Sequence, residues 1–162
     1  MLNQPLTEEL KQESASTKKM LQRIPEDQFG WKPHQKSRTL GQLASHVADL
    51  PAFLNSILTL DVLDFAKGDY KPYDTKTQGE LMNLFQEKLD EVLETLQNTS
   101  DEQMQAGFTI RNGDYIIATL PRIIAVRSAI NHIVHHRGQL SVYLRLLDIP
   151  VPGMYGPSAD EM

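Results

Sequence analysis

The sequence predicts an all-α fold: a four-helix bundle with a small hairpin or extended excursion before the last helix. Three observations lead there. Four stretches carry apolar residues at three- and four-residue steps, the repeat of one helix face. Two of them open on a threonine followed three residues later by Gln or Glu, the pattern of a capping box. The single β-prone run is short and is broken by Asn112-Gly113, a pair suited to a tight turn. A chain of 162 residues fits one domain, 1–162. Folding at this size buries roughly 70% of the unfolded surface, enough for a core.

The first helix is expected from about Thr7 to Arg23, with Leu6, Leu10, Met20, Leu21 and Ile24 on its apolar side. Pro25 closes it, because proline blocks continuation. A loop carrying Trp31 and Pro33 follows to Arg38. The second helix runs from Leu40 to about Leu60, opened by Thr39 and Gln42, with Leu40, Leu43, Val47 and Leu50 on one face. Pro51 is expected to bend or split it. Residues 61–76 form a loop. The third helix, opened by Thr77 and Glu80, places Leu81, Leu84, Phe85, Val92, Leu93 and Leu96 in one stripe and ends at Asn98-Thr99-Ser100. Residues 108–117 give the hairpin. The fourth helix starts near Thr119, with Pro121 in its first turn, and runs to about Asp148. Its apolar residues leave little continuous polar face, which predicts a central, largely buried helix. The tail after Pro150 is a loop that can lie across one end of the bundle.

Composition removes several function classes. The chain has no cysteine, which excludes disulfides, thiolate ligands and a cysteine nucleophile. Sixteen basic against 21 acidic residues give a net charge of -5, with no basic cluster, so nucleic-acid binding is disfavoured. No apolar run reaches the ~18–20 residues of a membrane span. The N-terminal MLNQPLTEELKQE lacks the basic start and apolar stretch of a secretory signal, so a cytoplasmic location is expected.

Five histidines are present: His34, His46, His132, His135 and His136. His132 and His136, four apart on one helix, differ in direction by about 40° and can reach one ion. His132 and His135 are also on neighbouring turns, and spacing alone does not choose between the pairs. His46 lies at three- and four-residue steps from Leu43 and Leu50, beside the apolar stripe of the second helix. Ligands converging from facing helices are how bundles build metal sites. Ala125, Ser128 and Ala129, on the His132 side, are small and predict a void there. His34 sits in a polar loop and reads as solvated.

Two stretches carry a family resemblance. NHIVHHRGQLSVYLRLLDIPVPGMYGPSADE (131–161) resembles the C-terminal signature of the DinB-like (damage-inducible) family, and WKPHQKSRTLGQLASHVADL (31–50) resembles its second helix. The resemblance implies a four-helix bundle with a long connection between helices 2 and 3. It implies a metal site of one second-helix histidine and an H-x-x-x-H pair, matching His46, His132 and His136, and so selects His136 over His135. It also implies a homodimer.

Three neutral ligands leave a coordination position open, the layout of a catalytic zinc site. Imidazole suits zinc and nickel alike, so the ligands do not name the metal. Asp49 and Gln139, each three residues after a ligand, are candidates to orient the rings, Asp49 being otherwise a solvated helix residue. Three functions compete. The first is a metal-dependent transferase acting with a low-molecular-weight thiol such as bacillithiol on a small-molecule substrate, as the wider superfamily implies. The second is metal-assisted hydrolysis, for which Asp49 and Asp148 are weak candidate bases. The third is a non-catalytic, stress-associated metal-binding protein. Arg137 points away from the ligand face, which predicts charge pairing; Tyr143 points near it. The terminal YGPSADE segment is expected either to shape the cavity mouth or to pack as a tail.

Overall fold

The computed structural model describes residues 1–162. Four long helices form the bundle: α1 (Asn3–Leu21), α2 (Leu40–Thr59), α3 (Gln78–Asn98) and, last in the chain, α5 (Arg122–Leu146). A five-residue helix, α4 (Asp101–Gln105), and three strands, β1 (Val62–Asp64), β2 (Gly107–Asn112) and β3 (Tyr115–Pro121), complete it. α1 and α2 each pack on both α3 and α5, so the helices run α1–α3–α2–α5 around the core. Consecutive helices α1 and α2 are therefore at opposite corners, which is why the chain needs a long segment between them. No helix is long and apolar enough to cross a membrane.

The expectation of an all-α fold needs correction. The hairpin β2–β3 is joined by β1, which pairs in parallel with β2 (Val62↔Thr109, Leu63↔Ile110) to give a three-stranded sheet in the order β1-β2-β3. A three-residue strand is too short to show any alternation of its own. What fixes it is Asp64, buried, whose carboxylate accepts hydrogen bonds from the Gly113 N–H (2.9 Å), the Ala66 N–H (3.0 Å) and Arg111 Nε (2.9 Å). The tight turn also sits one residue later than Asn112-Gly113. Asn112 pairs with Tyr115, and Gly113 at φ 61° takes the first turn position, where only glycine adopts that angle without strain.

Local signals explain the helix ends. Thr39 and Gln42 form the full capping box at α2. At α3 only half forms: Thr77 accepts from the Glu80 N–H, while Glu80 itself accepts from the Lys76 N–H (2.7 Å). A further box, Ser100 with Gln103, opens α4, which sequence periodicity cannot reveal in five residues. α5 begins at Arg122, because β3 runs on to Pro121. Pro51 neither splits nor ends α2, which continues through it. Proline removes one backbone donor there, and packing of α2 against α3 and α5 holds the helix in place.

α2, rather than α5, is the largely buried helix. Its buried set runs from Leu40 to Leu58 and includes Ala44, Val47, Ala48, Asp49, Pro51 and Leu54. α5 buries one face (Ala125, Val126, Ala129, Ile130, Ile133, Leu140, Leu144) and exposes Ile124, Val142 and Leu146.

Two buried arginines tie the elements together. Arg122 donates to the carbonyls of Ile57 (2.8 Å), Leu60 (2.9 Å) and Gln103 (2.9 Å), locking the start of α5 to the ends of α2 and α4. Arg137, 2% exposed, bonds to the Glu13 carbonyl (2.9 Å), pairs with the Glu13 carboxylate (2.7 Å) and donates to the Tyr155 hydroxyl (2.8 Å). Its expected charge-pairing role is the one observed. The tail is held by Tyr155 there and by Asp160 on Arg145 (2.7 Å).

Replacing Arg122 by Met takes the guanidinium donors away from the Ile57 and Leu60 carbonyls and leaves the Gln103 carbonyl only the Ala106 N–H. Arg122→Met is expected to lower stability by at least about 3 kcal/mol in urea unfolding; a loss below about 1 kcal/mol would refute the locking role.

Candidate metal centre

α2 and α5 face each other, and three histidines meet between them. His46 comes from the middle of α2; His132 and His136, one turn apart, come from α5. One ring nitrogen from each lies within 4.8 Å of the others. His132 Nε2 and His136 Nε2 are 2.8 Å apart, and the His46 ring stands edge-on to both, with centroids at 5.3 and 4.5 Å. Phe53 walls the His132 side, with its ring at 6.4 Å. His135 is exposed and outside the group, and so is His34, in its loop.

The rings are kept neutral. Burial pushes the pKa of His46 down to about 3, helped by the positive charge of Arg38 and by His136 and His132. Burial also lowers His132 and His136, the latter partly offset by its bond to Gln139. Gln139 Oε1 lies 2.6 Å from His136 Nδ1, so that nitrogen is the donor and Nε2 keeps its lone pair towards the other rings. The expected orienting role of Gln139 therefore fits; that of Asp49 does not. Asp49 is fully buried rather than solvated, and one oxygen accepts from the Tyr70 hydroxyl. Burial raises its pKa against that bond.

This donor set suits a divalent ion. Neutral imidazoles are borderline donors, and a tetrahedral zinc with bonds of roughly 2.0–2.1 Å sets its ligand nitrogens about 3.3 Å apart. The 2.8 Å pair and the 4.8 Å limit bracket that spacing.

The open side is not where small residues predicted it. Ala125 and Ala129 are packed into the core and Ser128 is exposed. Instead a cavity of about 340 Å³ lies beside His46, lined by Arg38, Gln42, Pro72, Tyr73 and Asp74. Its wall is the α2–α3 connection, fastened to α2 on both sides of His46. Tyr70 bonds to Asp49, and the Thr75 hydroxyl and N–H bond to Ser45 Oγ (2.7 and 3.1 Å). Pro72, Tyr73 and Asp74 lie between these two fastenings. No helical periodicity marks them in the sequence, which shows residues 61–76 only as a loop. Tyr143 reaches the site's edge, donating to the Arg38 carbonyl (3.2 Å) and standing edge-on to Trp31 (5.6 Å). The terminal segment does not line the cavity, nor does Asp148, which follows the end of α5 with φ 56°.

The family model of the DinB family matches residues 1–162. The chain belongs to the DinB family. Its fold is also that of solved relatives. A DinB-like protein from Bacillus cereus ATCC 10987 has a TM-score of 0.73 at 24% identity, covering 93% of this chain and 95% of that one. YfiT from Bacillus subtilis, described as a probable metal-dependent hydrolase with an unusual four-helix bundle topology, gives 0.67 at 17%, covering 91% and 89%. A mycothiol-dependent maleylpyruvate isomerase gives 0.61 at 14%, covering 85% of this chain and 60% of that protein. At these identities the structural likeness establishes the DinB fold alone.

Two outcomes are expected. Elemental analysis of protein incubated with zinc should find about one ion per chain. His46→Ala, His132→Ala and His136→Ala should lose it, and His135→Ala should keep it. The metal-free protein should lose stability as pH falls below 6.5 towards 3, because the unfolded chain binds protons there that the buried rings refuse. Urea midpoints should fall less steeply in His46→Asn; an identical slope would contradict the shifted ring.

Proposed function

We propose that this DinB protein is a metal-dependent enzyme in which His46, His132 and His136 bind a divalent ion, zinc or nickel, and that it transfers a low-molecular-weight thiol of bacillithiol type to an electrophilic small molecule. The observation that carries this reading is the composition of the cluster. It holds three neutral imidazoles and no carboxylate, and it borders a cavity large enough for a small molecule. A divalent ion bound there lowers the pKa of an incoming thiol and so makes a thiolate available at neutral pH.

The chain's own residues do the rest. Gln139 holds the His136 ring in one tautomer. Phe53 keeps water from one side of His132. The fastened connection presents Tyr73 and Asp74 to whatever enters beside His46. In the transfer, a sulfur–carbon bond forms, the leaving group departs with its electron pair, and the thiol proton goes to solvent. The absence of cysteine fits a reaction whose sulfur arrives with a co-substrate. The likeness to a mycothiol-dependent isomerase supports the same reading.

Asp74 favours a second reading, hydrolysis. It is the one carboxylate lining the cavity and offers a general base for water. It forms an exposed ion pair with Lys76. YfiT's description points the same way.

The two readings separate in one assay. Zinc-loaded protein given a small thiol and an alkylating electrophile is expected to consume free thiol saturably. Chelation or His46→Ala should reduce the rate by about 100-fold or more. Turnover of an ester or amide with no thiol present, reduced by Asp74→Asn, would establish hydrolysis instead.

A further inference from the structure

The cavity beside His46 has a chemical polarity of its own. Arg38 lines it, and its guanidinium makes no hydrogen bond or ion pair to any other residue. Arg38 is exposed, whereas three arginines at the junctions of the fold are engaged: Arg111 with Asp64, Arg122 with Asp61, Arg137 with Glu13. The one acidic residue on the cavity wall, Asp74, is already taken by Lys76. Arg38 is thus a fork of unused donors at the wall of a cavity that His46 of the histidine cluster also lines.

The backbone around it is not loose. The Arg38 carbonyl accepts from the Tyr143 hydroxyl, and the next residue, Thr39, is locked into the capping box with Gln42. Gln42 lies one helical turn before His46 and lines the same cavity. Its Oε1 is used by the Thr39 N–H, which leaves the amide Nε2–H₂ free and turned to the opposite role, donation. Two donor groups, one charged and one neutral, therefore share a wall with His46.

We propose that Arg38, assisted by Gln42, anchors the carboxylate of the small molecule whose opposite end is presented to His46, His132 and His136. This specifies the substrate class of the site and rests on the metal-centre reading above. A planar guanidinium fork matches a carboxylate in bidentate geometry. A phosphate dianion is disfavoured, since the lining supplies a single unpaired cation and also includes the Asp74 carboxylate. The α2 N-terminus adds no anion cradle, because its amides are already bonded to Trp31, Phe29 and Thr39. At about 340 Å³, the cavity is at the small end of ligand sites, so the molecule is compact.

The test compares 3-mercaptopropionate with 3-mercaptopropionamide, which share a thiol and a length and differ in charge. Binding is followed in the full ¹⁵N-labelled chain by the backbone amides of 38–46 and the indole N–H of Trp31, the chain's one tryptophan. Both zinc-loaded and metal-stripped protein are titrated. The acid is expected to bind at least about tenfold more tightly than the amide, as one charge-assisted hydrogen-bonded pair gives. In Arg38→Gln the ratio should fall close to one, with zinc content unchanged and amide affinity within about twofold. Arg38→Lys should keep part of the ratio. Because the Arg38 side chain has no partner in the fold, these variants are expected to keep the wild-type urea midpoint.

A ratio near one in the wild type, an unchanged ratio in Arg38→Gln, tighter binding of inorganic phosphate than of the acid, or no binding of the acid at millimolar concentration would each overturn the proposal. Failure of the metal reading shows itself separately. If zinc is not taken up and loaded and stripped protein behave alike, the metal centre is refuted, while the acid-to-amide ratio still reads Arg38 on its own.

Discussion

The site depends on α2 being packed from both sides. A helix pressed between α3 and α5 cannot rotate without exposing Leu43, Val47, Leu50 and Leu54, and each such side chain buried is worth roughly 1.5–3 kcal/mol. That burial fixes the azimuth of His46. It also fixes where Ser45 and Asp49 point, since all three share one stretch of helix. The geometry of the histidine cluster is therefore a by-product of core packing, and the polar residues on α2 need no separate scaffold to hold them. The same packing lets Pro51 sit in mid-helix, where an isolated helix would break.

Polar groups then do what apolar packing cannot, which is to specify how the connecting segments lie. Asp64 gathers the β1 turn and the hairpin; Arg122 gathers three helix ends; Arg137 gathers α1, α5 and the tail. Each is buried and each satisfies several backbone or side-chain partners at once, so each has a large penalty for misplacement. The fold thus combines one continuous apolar core with three polar junctions outside its centre.

Much of this was legible in the sequence, for definite reasons. The long helices and two of their caps follow from leucine spacing and from Thr39 and Thr77, because a helix writes its buried face at a fixed period. The charge-pairing of Arg137 followed from its angle on the last helix. His132 and His135 could not be told apart from His132 and His136 by spacing; the resemblance to the DinB family pointed to His136, and the structure shows His135 exposed. The rest was illegible because it depends on contacts distant in sequence. Asp49 looks like any helix surface residue until Tyr70, 21 residues away, folds over it. β1 becomes a strand because β2, more than 40 residues later, lies beside it. Arg38, Tyr73 and Asp74 obey no period at all, and their meeting is a property of the connection's path.

That path has an evolutionary consequence. Tyr70 and Thr75 are each tied to α2, so the ends of the segment are held whatever lies between them. Residues 71–74 are all exposed and contribute nothing to the core. Selection can therefore rewrite these four positions with little risk to folding, while the histidines and the bundle stay as they are. A lineage built on this frame can change what it accepts by editing a tethered tetrapeptide, so divergence in specificity should outrun divergence in fold.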